Sequence, residues 1–268
     1  MHADRSGTAA PTARRRRTIA VTGSASGIGA AVQARFERSG ARVVGVDRRD
    51  AEVIADLSGP EGRAQAVRDV TARCDGRLDG AVVCAGLGPQ VHPTTLIAAV
   101  NFFGAVALLD GLLPALAEGE APAAVAIASN SAGITPPGPD LLDSLLAGDE
   151  DAALQAASSL DGATVYGTSK LALTRALRRR AQAWGAAGVR LNAVAPGPVD
   201  TPLLAGGLAD PVLGPLIDAL PVPLGRRGTP AEIAAAVGFL LDPANGFVHG
   251  AVLFVDGGSD ALLRPDGL

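Results

Sequence analysis

Residues 18–29 read TIAVTGSASGIG, a short apolar run that passes straight into a loop with glycines at 23, 27 and 29. A turn this tight needs positions without a side chain, and the amides opening the next helix can approach a pyrophosphate. TIAV (18–21) reads as a strand and GIGAAVQARFERSG (27–40) as a helix ending at a glycine. Gly23, Ser26, Gly27, Ile28 and Gly29 are therefore candidate cofactor residues. A glycine triplet alone is unspecific. Here the second strand, ARVVGVD (41–47), ends in Asp47, 18 residues past Gly29, where a carboxylate can accept from an adenosine ribose. That charge would repel a 2′-phosphate, so NAD is expected ahead of NADP. Arg48 is the counterweight, since a guanidinium could pair with the phosphate.

Working outward, apolar runs of strand length alternate with longer segments of helical period. Further strands are expected at GAVVCAG (80–86), AAVAIAS (123–129), VRLNAVA (189–195) and GAVLFVD (250–256). Helices are expected over 61–73, 94–118, 164–187 and 230–241. Six strands interleaved with amphipathic helices predict an α/β fold, a doubly wound parallel sheet of Rossmann type covered on both faces. Residues 1–17 show no period and read as a disordered tail. Residues 18–268 then form one domain.

Composition narrows the function. Of 268 residues 48% are hydrophobic and 19% charged, a globular balance. The net charge of −4 offers no footprint for nucleic acid. The basic run 14–17 reads as a solvated tail. No stretch is expected to approach the ~20 apolar residues that span a bilayer, and no signal peptide is recognised. The two cysteines, Cys74 and Cys84, suggest free thiols and a cytoplasmic setting, and no metal is expected.

The composition also holds an odd pair. Among 23 basic residues one is a lysine, Lys170, and the chain has one tyrosine, Tyr166. Random placement would set a single lysine four positions past the tyrosine in about 1 of 267 trials. Four residues on a helix stack both side chains on one face. A nearby ammonium favours phenolate, which a general base of pKa ≈ 10 needs near neutral pH. The ammonium can also donate to ribose hydroxyls in a way a planar guanidinium does not copy.

Over residues 18–260 the chain resembles the short-chain dehydrogenase/reductase family. TGSASGIG matches its TGxxxGxG loop, VYGTSK its YxxxK site, and NAVAPGPVDTP the segment that carries the nicotinamide. The resemblance implies that Ser129 hydrogen-bonds the substrate oxygen and Tyr166 exchanges the proton. It implies that Lys170 lowers the phenol pKa and holds the ribose, and that Asn101 anchors a proton relay. Asp56 and Leu57 would bracket the adenine. Cys84, Ala85, Gly86, Pro196 and Gly197 would line the cofactor site, with Val199 and Thr201 on the carboxamide. Two departures stand out. The strand end usually reads NAG but here is Cys84-Ala85-Gly86, with the thiol read as a small core residue. In IASN an alanine replaces a second hydroxyl residue, so Ser131 competes with Ser129 for the substrate oxygen.

Ser129 and Tyr166 are 37 residues apart, against about a dozen in ordinary members of that family. The extra material, 134–163, reads as a helical insertion of two short helices, DLLDSLLAG and DEDAALQAASSL. It is similar to one branch, the 3α-hydroxysteroid dehydrogenase/carbonyl reductases and coniferyl-alcohol dehydrogenases. The apolar segment 198–224 reads as a substrate lid lined by Leu203, Leu204, Leu208, Val212, Leu213, Leu216 and Ile217. The reading is an NAD(H)-linked oxidoreductase for a bulky hydrophobic alcohol or ketone of hydroxysteroid, terpene or aryl type. An NADPH-dependent ketoreductase and a non-catalytic dinucleotide-binding regulator stand as alternatives. The family resemblance implies a homodimer or homotetramer.

Overall fold

Strands apolar on both faces need cover on both sides, and this one receives it. The computed structural model describes residues 15–267. Among them are β1 (Thr18–Thr22), β2 (Arg42–Asp47), β3 (Val53–Ile54), β4 (Gly80–Val83), β5 (Ala123–Ile127), β6 (Arg190–Pro196) and β7 (Val252–Val255). They form one sheet in the order β3-β2-β1-β4-β5-β6-β7, parallel at every pairing. Side chains alternate between two cores. Ile19, Val21, Val125 and Ile127 serve one face, while Ala20, Ala124 and Ala126 serve the other.

Helices α1 (Gly27–Arg38), α2 (Pro60–Arg73), α3 (Thr95–Ala98), α4 (Ala105–Ala117) and α5 (Ser131–Ile134) follow in chain order. The insertion supplies α6 (Pro139–Ala147) and α7 (Glu150–Ser158), and then comes the long α8 (Gly162–Ala186). The lid carries α9 (Pro202–Leu208) and α10 (Leu213–Asp218), and α11 (Pro230–Leu241) and α12 (Ser259–Leu263) complete the described chain. Val32 and Phe36 of α1 meet Ile233, Val237 and Leu241 of α11 in one core. On the opposite face Val70 of α2, Leu108 and Leu112 of α4 and Leu173 and Leu177 of α8 form the larger core. Full burial of each such side chain stabilises by roughly 1.5–3 kcal/mol relative to exposure. The strand order reverses between β1 and β4, and a crevice opens there at the carboxyl ends of the strands.

Three expectations about the elements need correction. A seventh strand exists, because β3 is a two-residue edge strand too short to show a period. Residues 95–117 form a continuous helical run that is long and apolar enough to cross a membrane by length and composition. Most of that run is buried against the sheet and its neighbouring helices, so it is a core helix. Its middle, Ala99–Gly104, is a π-helical turn rather than regular α-helix.

The tail expected over 1–17 includes ordered residues at its end, and the basic run is not wholly solvated. Arg15 pairs with the fully buried Asp79. Arg16 donates to the carbonyls of Gly40 and Ala41 at 2.8 and 2.9 Å. Arg17 donates to those of Asp79 at 3.0 Å and Leu241 at 3.2 Å. The guanidinium groups of Arg16 and Arg17 thus serve carbonyls at strand and helix ends. Residues 1–14 lie outside the described residues.

The insertion is anchored rather than loose. Leu141, Leu142 and Leu145 of α6 and Ala153 and Ala157 of α7 are buried in the larger core. Gly148 ends α6 in the left-handed region at φ 77°, and Asp149 then caps α7 by accepting from the Ala152 amide at 3.0 Å.

Candidate active site

The glycine loop is shaped by contacts that a side chain would destroy. A Cβ on Gly29 would stand 2.0 Å from the carbonyl oxygen of Gly23. One on Gly23, which sits at φ 68°, would stand 2.9 Å from the backbone of Ala85. Helix α1 starts immediately after Ser26, whose side chain makes no cap hydrogen bond, so the first amides of the helix are left for another acceptor. Asp47 closes β2 beside them, accepting from the amides of Ala25 at 3.1 Å and Arg48 at 2.7 Å. These residues fit a dinucleotide: donors at the pyrophosphate position and a carboxylate one loop away. Ile28, Arg48, Asp56 and Leu57 line the same crevice.

Sequence reasoning missed how the floor is held. Thr22 Oγ1 accepts from the amides of both Cys84 and Ala85 at 3.0 Å, locking the exit of β4 to that of β1. The threonine beside the first glycine was the available signal. Burial pushes the Cys84 thiol up to about 12, so it stays neutral, in keeping with a small packing residue.

The other half of the cleft comes from β5, α8 and the π-helical turn. Asp161 caps α8 by accepting from Thr164 at 2.9 Å and so fixes where its register begins. That register turns Tyr166 and Lys170 toward Ser129, just beyond β5, and all three line one cleft of about 960 Å³. Lys170 is buried, its Nζ donating to the Ile127 carbonyl at 2.9 Å and standing 5.8 Å from the Tyr166 ring centroid. Desolvation lowers the Lys170 pKa to about 8, with the Cys84 side chain opposing. Desolvation also raises the Tyr166 phenol, and the neighbouring Ser129 hydroxyl pulls the other way.

Asn101, on the π-helical turn, is fully buried. Its Oδ1 accepts from the Leu87 amide at 2.7 Å and its Nδ2 donates to the Leu87 carbonyl at 3.0 Å. A Cβ on Gly86 would come within 3.2 Å of Asn101 Oδ1 and 3.5 Å of Lys170 Nζ. Asn101, Gly86 and Lys170 therefore meet at one point.

Both competing serines line the cleft. Ser129 Oγ accepts from the Ser131 amide at 3.2 Å, whereas the buried Ser131 Oγ has no partner among the described residues. Ser129 is the one beside the phenol. Pro196, Gly197, Val199 and Thr201 carry β6 into the lid and also line the cleft. Thr201 caps α9 by accepting from the Leu204 amide at 3.2 Å, and its methyl lies 3.4 Å from where a Gly27 Cβ would be.

The lid expectation needs one correction. Leu203, Leu204, Leu213, Leu216 and Ile217 face the cleft, joined by Leu220, but Leu208 and the exposed Val212 do not. Helix α9 ends at Leu208, and Asp210 turns the chain by accepting from the amides of Val212 and Leu213 at 2.9 and 3.0 Å. Helix α10 then returns against the backbone of Leu208, and its own Leu213, Leu216 and Ile217 line the cleft. Gln90, absent from the sequence reading, also lines the cleft and donates to the Leu203 carbonyl at 3.3 Å.

A doubly wound sheet with a glycine loop at its switch point and a Ser–Tyr–Lys group across the crevice has the form of a dinucleotide-dependent oxidoreductase. Comparison with known proteins makes that class specific. A family profile described as short chain dehydrogenase matches residues 17–138, and one described as Enoyl-(Acyl carrier protein) reductase matches 152–260. The stretch between them lies within the insertion. The chain belongs to the short-chain dehydrogenase/reductase family.

Among its relatives is the 3-alpha-hydroxysteroid dehydrogenase/carbonyl reductase of Comamonas testosteroni. It is 49% identical over 251 residues, 92% of this chain and 98% of that protein. The galactitol 2-dehydrogenase of Cereibacter sphaeroides is 35% identical over 89% of this chain and 93% of its own length. The crystal structure of the 3-alpha-hydroxysteroid dehydrogenase from Pseudomonas sp. B-0831, complexed with NADH, superposes with a TM-score of 0.90. It is 47% identical, over 94% of this chain and all of that one.

Proposed function

We propose that this chain is an NAD(H)-dependent oxidoreductase that interconverts a bulky hydrophobic alcohol of hydroxysteroid type and its ketone. The observation that carries the reading is the convergence of Ser129, Tyr166 and Lys170 on the cleft that the glycine loop opens. The 49% identity to a hydroxysteroid dehydrogenase/carbonyl reductase supports the substrate class, and Asp47 at the end of β2 supports NAD.

When bound, the nicotinamide supplies the hydride acceptor or donor. The chain supplies the rest. Gly23, Ser26, Gly27, Ile28 and Gly29 cradle the pyrophosphate, Asp47 holds the adenosine ribose, and Asp56 and Leu57 flank the adenine. Cys84, Ala85, Gly86, Pro196 and Gly197 shape the floor, with Val199 and Thr201 beside the carboxamide. Ser129 Oγ donates to the substrate oxygen and steadies developing negative charge. Tyr166 takes the alcohol proton in oxidation and returns it in reduction. The ammonium of Lys170 favours the phenolate electrostatically, and Asn101 keeps Leu87 and Lys170 in register. Leu203, Leu204, Leu213, Leu216 and Ile217 bury the apolar body of the substrate, with Ser131 available to a second polar group.

The test is NADH formation from a 3α-hydroxysteroid, alongside cinnamyl alcohols, bulky secondary alcohols and sugar alcohols. Turnover confined to the bulky apolar alcohols supports the reading, and preference for a sugar alcohol overturns the substrate class. Arg48, lining the cleft beside Asp47, carries the second reading, an NADPH-dependent ketoreductase. A clear preference for NADPH would establish that one instead.

We also infer a homo-oligomer. Phe247 is fully exposed, and Phe239, Leu253, Leu262 and Leu263 are exposed too, apolar side chains that a second subunit would cover. The free thiols of Cys74 and Cys84 are consistent with a cytoplasmic setting.

A further inference from the structure

Arg63 is a guanidinium only 5% exposed in the body of the protein, and it touches three separate segments. Its Nε donates to the carbonyl of Leu57 at 2.8 Å, and Nη2 donates to those of Ser58 at 2.9 Å and Ala99 at 3.2 Å. Both terminal nitrogens grip the carboxylate of Glu150 at 2.8 Å, a bidentate pair. The Phe103 ring lies 5.8 Å from the guanidinium carbon. Leu57 and Ser58 belong to the loop that lines the adenine end of the cleft. Ala99 begins the π-helical turn that carries Asn101, and Glu150 is the first residue of α7, inside the insertion.

The 56–58 loop is closely fitted where Arg63 holds it. A Cβ on Gly62 would stand 1.9 Å from the Asp56 carbonyl oxygen, and one on Gly104 would stand 3.1 Å from that of Leu57. The Asp56 carboxylate folds back onto the Ser58 amide at 2.9 Å, which lowers its pKa. The carbonyls of Leu57 and Ser58 thus point inward to a buried cation, and the side chains of Asp56 and Leu57 are left to the cleft. A buried guanidinium without a counter-charge is costly, and Glu150 is the carboxylate that meets it. Glu150 exists because of the insertion.

We propose that Arg63 and Glu150 are positioning residues for the coenzyme. The insertion supplies the carboxylate that sets a buried arginine, and the arginine sets the loop that receives the adenine. The inference rests on the reading above in assigning 56–58 to the adenine. It gives the insertion a part in coenzyme affinity, apart from substrate or assembly.

The test measures dissociation constants of NADH, ADP-ribose and nicotinamide mononucleotide for the intact chain and three variants, together with kcat at saturating coenzyme and the thermal midpoint. Arg63→Lys keeps the charge but loses the fork, and should weaken NADH and ADP-ribose about tenfold, the effect of one or two charge-assisted hydrogen bonds. Affinity for nicotinamide mononucleotide should hold and kcat should stay within about twofold, since neither residue reaches the reacting atoms. Glu150→Gln should weaken the same two ligands by about threefold. The double variant Arg63→Met, Glu150→Met removes the buried pair without stranding a charge, so its midpoint should return toward that of the wild type. Its affinity for ADP-ribose should not return.

Unchanged ADP-ribose affinity across the series overturns the inference while leaving the functional reading intact. Equal losses for ADP-ribose and nicotinamide mononucleotide overturn it too, because they mean a general loosening. A wild-type chain that binds neither NADH nor ADP-ribose sinks the reading and the inference together.

Discussion

Lys170 Nζ stands 5.8 Å from the Tyr166 ring centre while its proton is held by the Ile127 carbonyl at 2.9 Å. The ammonium is fixed by β5 and the phenol by α8, so their separation is set by the packing of that helix on the sheet. Burial outweighs the hydrogen bond of Ser129, and the phenol lies above its ordinary pKa. A positively charged nicotinamide would push it down. Tyr166 is the one tyrosine of the chain, so tyrosinate absorbance reports it alone. Titration should give a midpoint above the ordinary phenol value without coenzyme and a clearly lower one with NAD⁺. Alcohol oxidation should rise with pH across the lower midpoint. Tyr166→Phe should lower kcat by about 10³ with NADH affinity kept, and a midpoint indifferent to NAD⁺ would remove the proposed base.

Lys170 should cost stability where it serves function. Its ordinary pKa of 10.5 falls to about 8 through burial. At neutral pH both folded and unfolded states carry the proton, so the penalty is fully present there. Between pH 8 and 10.5 the unfolded state binds more protons, and stability rises with pH through that window. Lys170→Met should therefore be more stable than wild type at pH 7, by up to the order of 3 kcal/mol, and inactive. Chemical denaturation at pH 7 and pH 10 checks both parts, and the gain should shrink at the higher pH. A variant less stable than wild type at both would show that the bond to Ile127 outweighs the desolvation.

What was legible in the chain was what a local pattern records. The glycine loop, the Tyr166–Lys170 turn, both insertion helices and six strands announce themselves through spacing over a few residues. The missing features have partners far apart. Arg15 and Arg17 look solvated until Asp79 and Leu241 are folded beneath them. Arg63 looks like any arginine of a polar helix face until Glu150, 87 positions on, closes over it. β3 is too short to carry a period. Leu208 fits the helical stripe of Leu204 one turn earlier, but it is the last residue of α9 and lies off the cleft, and the turn at Asp210 that follows is not foretold by any pattern within α9.

Asp47 gives a direct test of coenzyme choice. Its two carboxylate oxygens each accept one backbone amide, from Ala25 and from Arg48, which fixes the group at the strand end with lone pairs to spare. Asp47→Ser removes the charge that repels a 2′-phosphate and leaves Arg48 to pair with one. The ratio of kcat/KM for NAD⁺ over NADP⁺ should fall by about a hundredfold, half from lost ribose contacts and half from lost repulsion. A ratio unchanged by the substitution would place the discrimination elsewhere.

Leu216 tests the lid. It lines the cleft from α10 yet is 64% exposed, so its apolar surface waits for an apolar neighbour. Its side chain contributes little to the folded chain, and Leu216→Asn should leave the thermal midpoint within about 1 °C of wild type, as surface substitutions usually do. Closing over a steroid-sized substrate would bury most of that side chain, contributing on the order of 1–2 kcal/mol. The variant should raise KM for a bulky apolar alcohol by about tenfold, with the coenzyme KM and kcat little changed, because the contact is made equally in ground and transition states. A small secondary alcohol should show no such penalty, since it does not reach the lid. Steady-state kinetics with both alcohols separates the outcomes. Equal effects on both substrates would mean that α10 supports the coenzyme or the fold rather than the substrate.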